Sequence, residues 1–154
     1  RRLGVEPAGF DELMSGNRFV FVMATITTAN AGMIDARALG LMQPGAMLLL
    51  MSRAAVADFP ALTAAAASGR IRVATDVFPV EPLPPDDPIR AVPNMLFSPH
   101  RAGALPFALR EIGTRVLEDM DLISRGLPPV ACRRAEPETV AMMRSMPVSA
   151  TPKG

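Results

Sequence analysis

The chain has 154 residues, 16 basic against 15 acidic, for a net charge of +1, and 49% of it is apolar. That length fits one domain with a packed core, and the near balance of charge gives no electrostatic footing for nucleic acid or a membrane surface. A single cysteine, Cys132, excludes an intrachain disulfide, and a single histidine, His100, leaves too few ligands for a Cys/His metal cluster.

No apolar run approaches the length of a membrane span. Arg1 to Pro7 lacks the pattern of a signal peptide, so the expectation is a cytoplasmic protein. In chain order, Phe10–Met14 reads as a short helical turn ending near Gly16. Phe19–Met23 is a continuous apolar strand of the kind buried on both faces of a parallel sheet. Thr25–Asn30 reads as a loop. Asp35 can cap a helix running through Met42, which Gln43-Pro44-Gly45 stops. Ala46–Met51 is the second strand. Asp58 can cap a helix with Pro60 in its first turn, continued by Ala64–Ala67 and ended by Gly69.

Ile71–Asp76 is the third strand. Phe78–Pro93 is so rich in proline that it reads as an extended loop, and Met95–Ser98 is the fourth strand. Leu105–Ser124 is the longest helix, with Phe107, Ile112, Val116 and Met120 as its core contacts, and Gly126 ends it. From Pro128 to Gly154 no period is evident, and this tail reads as irregular or disordered. Strands alternating with helices predict an α/β fold with a parallel sheet built from βαβ units.

In open α/β sheets the ligand crevice lies at the carboxyl ends of the strands. Three polar residues stand at such ends. Arg53 follows the second strand, Glu81 follows the third, and His100 follows the fourth in Ser98-Pro99-His100-Arg101-Ala102-Gly103. An arginine, a carboxylate and an imidazole suit one kind of chemistry. The guanidinium grips a carboxylate with a planar fork, the glutamate tunes the histidine, and the histidine moves a proton near neutral pH. With no second histidine, a serine-hydrolase triad is excluded.

Pro44-Gly45-Ala46, Met51-Ser52-Arg53, Asp76-Val77-Phe78-Pro79-Val80-Glu81-Pro82 and Pro99-His100-Arg101-Ala102-Gly103, with Gly32-Met33-Ile34-Asp35 ahead of them, resemble the successive motifs of the D-isomer-specific 2-hydroxyacid dehydrogenases. Order and spacing match from about Phe10 to Leu127. The resemblance implies a Rossmann-like parallel sheet with flanking helices. It implies NAD or NADP as cofactor and hydride transfer between that cofactor and a small 2-keto or D-2-hydroxy acid. Residues 1–127 would be the C-terminal part of the NAD(P)-binding domain with its final crossover helix over residues 105–125. Arg53, Glu81 and His100 would be catalytic. Met51, Ser52, Arg53, Asp76, His100 and Gly103 would line the cofactor, with Asp76 on the nicotinamide carboxamide. Glu81, where a formate-dehydrogenase-like member would carry glutamine, favours a hydroxy-acid substrate.

The sequence departs from the family at Ala54, where glycine is usual, at Phe59, where an acidic residue is common, and at Thr25, which replaces the proline of a Pro-Leu-Thr loop. No Gly-x-Gly-x-x-Gly turn occurs. In the family that turn, the acidic ribose-binding residue, further strands including the central one, and the first portion of the substrate domain lie upstream. The chain therefore reads as the C-terminal part of a longer enzyme, or a remnant of one, in which Phe19–Met23 lacks a neighbouring strand and makes the isolated chain sticky. A homodimer is one expectation for the full-length protein, with oligomeric state open. The second reading is a non-catalytic nucleotide-sensing or interaction module. The missing Gly-rich turn, Ala54 and Thr25 lean towards it, and the intact Arg53, Glu81 and His100 set leans against it.

Overall fold

The computed structural model describes residues 4–101 and 105–132. Two compact units divide between Ser98 and Pro99. The first holds α1 (Phe10–Gly16), β1 (Phe19–Val22), α2 (Ala36–Leu41), β2 (Met47–Leu50), α3 (Phe59–Ala67), β3 (Arg72–Thr75) and β4 (Met95–Phe97). Two short 3-10 turns, Ala54–Val56 and Pro88–Ala91, interrupt its connections. The second unit holds α4 (Pro106–Ser124).

The four strands form one parallel sheet in the order β1-β2-β3-β4. Val20 pairs with Leu48, Leu48 with Val73, and Val73 with Met95, so the rows run straight across the sheet. The caps that start two of the helices are those the sequence predicts. The Asp35 carboxylate accepts from the Ala38 N–H at 2.8 Å, and the Asp58 carboxylate from the Ala61 N–H at 3.1 Å. Gly69 follows α3 at φ +74°, a left-handed conformation that turns the chain into β3 without a Cβ penalty. Arg70 then donates to the carbonyls of Gly40 and Met42, placing a cation on the C-terminal end of α2.

The core lies on one face of the sheet. Val20, Val22, Leu48, Leu50 and Val73 are buried there with Met14, Leu39 and Leu62 from the helices. Period-two alternation sends the neighbouring side chains to the other face. There Phe19 is 62% exposed, Phe21 63% and Leu96 64%. This corrects the expectation that Phe19–Met23 is buried on both faces. An apolar run cannot by itself show which face its surroundings cover, and here the helices of the first unit pack on one. The Phe78–Pro93 loop also departs from the expected extended form. Pro88 starts a 3-10 turn there whose cap is Asp87, accepting from the Ile89 N–H at 3.0 Å.

In the second unit, Phe107, Ile112, Val116 and Met120 are exposed rather than core contacts. The spacing is helical, but a stripe at that spacing reports a face, not what covers it. The buried residue of α4 is Asp119, 4% exposed. Its carboxylate accepts from the N–H groups of Val130 at 2.7 Å, Ala131 at 3.1 Å and Cys132 at 2.6 Å. Those donors hold its pKa down to about 2, Val130 and Cys132 foremost, against the opposing effect of burial. Pro128–Cys132 has no regular secondary structure, and the rest of the predicted tail lies outside the described residues.

Two outcomes test this fold. Leu48→Ala empties a fully buried site and should cost about 2–5 kcal/mol, whereas Phe21→Ala on the open face should cost less than about 1 kcal/mol, both read by chemical denaturation. Because the Asp119 pKa is lowered in the folded state, its contribution is full above the unfolded value of 3.8 and is lost as pH falls towards about 2. An NMR titration of the Val130 and Cys132 amide shifts should show a step with that low midpoint, and Asp119→Asn should abolish it.

Candidate functional site

All four strands point the same way, so their carboxyl ends reach one edge of the sheet. After β1, the chain from Met23 to Ile34 runs beside the segment that leaves β2. Val22 accepts from the Met51 N–H at 3.2 Å, Ala55 from the Gly32 N–H at 2.9 Å, and Val56 from the Ile34 N–H at 3.1 Å. Ser52 and Arg53 lie between these ties. Ser52 is buried, Met51 is 40% exposed, and Arg53 is exposed with Nη1 donating to the Ser52 carbonyl at 2.7 Å. The Arg53 carbonyl accepts from the Val56 N–H at 3.1 Å and opens the Ala54–Val56 turn, so Ala54 is accommodated in a 3-10 conformation.

After β3, the Thr75 hydroxyl donates to the Val77 carbonyl at 2.9 Å and accepts from the Val77 N–H at 3.2 Å. This small ring brackets Asp76, which is buried at 6% exposure. Phe78 follows, its ring 6.4 Å from Phe59 and 5.9 Å from Phe97. The rings join α3, the β3 exit and β4 beneath this edge, which gives Phe59 a packing role in place of the acidic residue common in the family. Glu81 is exposed, and its Oε1 accepts from the Phe78 N–H at 2.8 Å, folding the carboxylate back towards the strand end.

Two buried side-chain atoms at this edge have no hydrogen-bond partner among the described residues, Ser52 Oγ and Asp76 Oδ1. Leu50 pairs with Thr75, so the two residues leave adjacent strands almost level with one another. An unsatisfied buried polar atom costs about 1–3 kcal/mol. Both atoms meet the requirement for a polar ligand group at the ends of β2 and β3.

The structure thus brings Met51, Ser52, Arg53, Asp76 and Glu81 to one edge of the first unit. His100 is the second residue of the other unit, exposed, and directly follows the β4 exit in sequence. Gly103 and its neighbour Ala102 lie outside the described residues. Sequence reasoning missed two residues that shape the edge, Thr75 and Asn30. A hydroxyl one residue before a strand-end aspartate, and an asparagine closing a threonine-rich loop, were the available signals. Elsewhere, α3 and the proline-rich loop enclose an apolar groove of about 490 Å³ lined by Phe59, Val80, Leu83 and Ile89. Its polar side chains are engaged locally, Asp87 capping a turn and Thr63 donating to the Phe59 carbonyl at 2.7 Å, so they do not converge to fix a ligand. Among the described residues no helix is long and apolar enough to cross a membrane, and no cluster of potential metal ligands occurs.

A parallel sheet with flanking helices and polar residues at its carboxyl edge is a Rossmann-like arrangement, in which ligands bind at that edge. Comparison with known proteins agrees. Residues 1–102 match the NAD binding domain of the D-isomer specific 2-hydroxyacid dehydrogenases, and the chain belongs to that family. It is 33% identical over 126 residues to D-3-phosphoglycerate dehydrogenase of Mycobacterium leprae, with 81% of this chain and 24% of the relative covered. It is 34% identical over 131 residues to glyoxylate reductase of Korarchaeum cryptofilum, covering 84% and 40%. The crystal structure of a phosphoglycerate oxidoreductase from Rhizobium etli superposes with a TM-score of 0.78 at 48% identity, covering 88% of this chain and 41% of that one. A family member from Xanthobacter autotrophicus Py2, solved with NADPH and MES, gives 0.70 at 33% identity, covering 81% and 51%. The chain therefore spans about a quarter to a half of the length of these relatives.

Because Ser52 Oγ lacks a partner, Ser52→Ala should leave ligand-free stability unchanged or raise it by up to about 1 kcal/mol. A denaturation curve showing a loss larger than that would mean that the hydroxyl is bonded.

Proposed function

We propose that this chain is the nicotinamide-facing half of an NAD(P)-dependent D-2-hydroxyacid dehydrogenase. The observation that carries the reading is the pair of buried, unpartnered atoms, Ser52 Oγ and Asp76 Oδ1, on adjacent strand ends. A cofactor carboxamide or ribose hydroxyl would satisfy them, so the residues present fit the group. When bound, the nicotinamide supplies or accepts the hydride. Asp76 would hold the carboxamide, with Met51, Ser52 and Gly103 beside it. Arg53 would release the Ser52 carbonyl and turn its fork to the substrate carboxylate, fixing C2 for transfer. His100 would donate a proton to the keto oxygen during reduction and accept it in the reverse direction. Glu81 would stabilise the charged imidazole and fix its tautomer.

On this reading residues 1–127 are the C-terminal part of the cofactor domain, the substrate is a small 2-keto or 2-hydroxy acid, and either NAD or NADP serves. The full-length protein would be cytoplasmic, without nucleic-acid or membrane partners, with a homodimer one of the oligomeric states open to it. In that protein, glyoxylate- or hydroxypyruvate-dependent NADH oxidation should fall by about two to four orders of magnitude in His100→Ala, with NADH affinity nearly unchanged. Equal turnover in the variant would remove His100 from the mechanism. A wild-type protein that binds the dinucleotide and oxidises none of it would favour the sensing-module reading.

A further inference from the structure

We infer that Asn30 is a positioning residue for this crevice, an inference that rests on the function proposed above. The loop leaving β1 borders the segment that carries Ser52 and Arg53; backbone bonds tie it at its two ends, Val22 to Met51 and Gly32 to Ala55, and Thr27 within it forms an isolated β-bridge. Between the end ties the Asn30 side chain holds the path as well. Asn30 Nδ2 donates to the Thr25 carbonyl at 2.8 Å, and its Oδ1 accepts from the Thr27 N–H at 2.7 Å. The Asn30 carbonyl also accepts from the Met33 N–H at 3.2 Å.

The amide thus clamps the residues on either side of Ile26, whose side chain is buried at 7% exposure. Ile26 anchors the loop to the core while Asn30 fixes the backbone of Thr25 and Thr27 around it. The amide side chain supplies both the donor and the acceptor at once. Asn30 is only half-buried, and both of its partners are backbone groups of its own loop. Its loss should therefore free the loop rather than unfold the sheet.

A loop held in place before binding spares the ligand the cost of ordering it. Asn30 therefore acts on affinity through the wall of the crevice, not on the proton transfer. The full-length protein would be titrated with NADH and with NADPH by cofactor fluorescence, and assayed for KM and kcat with glyoxylate. In Asn30→Ala the dissociation constant and KM should rise about tenfold, with kcat within about twofold of wild type and the melting temperature within about 2 °C. Asn30→Asp, of equal size, keeps the acceptor for Thr27 but loses the donor to Thr25, and should show a smaller rise in the same direction. It carries the test if the alanine variant does not fold. Wild-type binding with undiminished affinity in the folded variants overturns this inference alone. Affinity lost only in step with global stability in both variants assigns Asn30 to the fold and overturns it as well. A wild-type protein that binds neither dinucleotide overturns the function proposed above and this inference with it.

Discussion

The parallel register of the four strands is the constraint from which the site follows. Leu48, Val73 and Met95 lie in one row with Val20, so the strands of this sheet finish nearly level. Their exits then share one edge, and residues distant in sequence emerge side by side. A one-residue slip of β2 against β3 would turn Leu48 and Leu50 out of the core. It would also shift Ser52 relative to Asp76. Burial of the leucine rows therefore fixes the placement of the polar pair, and the site draws its precision from the apolar core rather than from polar contacts of its own.

Against that background, the distribution of satisfied and unsatisfied groups is informative. Thr75, next to Asp76, has its hydroxyl engaged both as donor and as acceptor. Asp35, Asp58 and Asp87 each accept a helix-start N–H. Asp119 takes up three consecutive N–H groups. The fold thus finds partners for acidic and hydroxyl side chains where it can. Among the described residues the buried side-chain oxygens left open, Ser52 Oγ and Asp76 Oδ1, both lie at the edge where open α/β sheets bind ligands. Two such groups in a chance location would be a cost without return.

Most of this was legible in the sequence. Each strand was found to within a residue or two because short apolar runs ended in Gly, Pro or polar residues. Asp35 and Asp58 announced their helices because a capping carboxylate acts locally. What failed was the part that depends on neighbours. Phe21 and Val22 are both apolar, yet one is exposed and the other buried, and only the packing partner distinguishes them. The same holds for Ile112 and Val116 on α4, and for Asp119, a carboxylate whose burial is explained by the Val130–Cys132 backbone that folds onto it. The strand-end placement of Ser52, Arg53, Asp76 and Glu81 was legible from motif spacing. Asn30 and Thr75 were not, because an asparagine or a threonine in a polar loop has many local partners open to it and the sequence does not say which one it takes.

The sheet also grades the crevice in rigidity. β2 and β3 have paired neighbours on both sides, so Ser52 and Asp76 sit on the most constrained backbone of the first unit. Among the described residues β1 is an edge strand with Phe19 and Phe21 exposed, and its exit loop is held by scattered ties rather than by a continuous ladder. A site of this construction needs a fixed floor, since a misplaced hydrogen-bond partner for the cofactor forfeits orientation. It can accept a softer wall provided that wall has a lock of its own. Strand pairing supplies the first, and the clamp of Asn30 around Ile26 supplies the second. Arg53 stands where the two meet, with its backbone in the tied segment after β2 and its guanidinium donating to the neutral Ser52 carbonyl, a weaker partner than the substrate carboxylate proposed above would be.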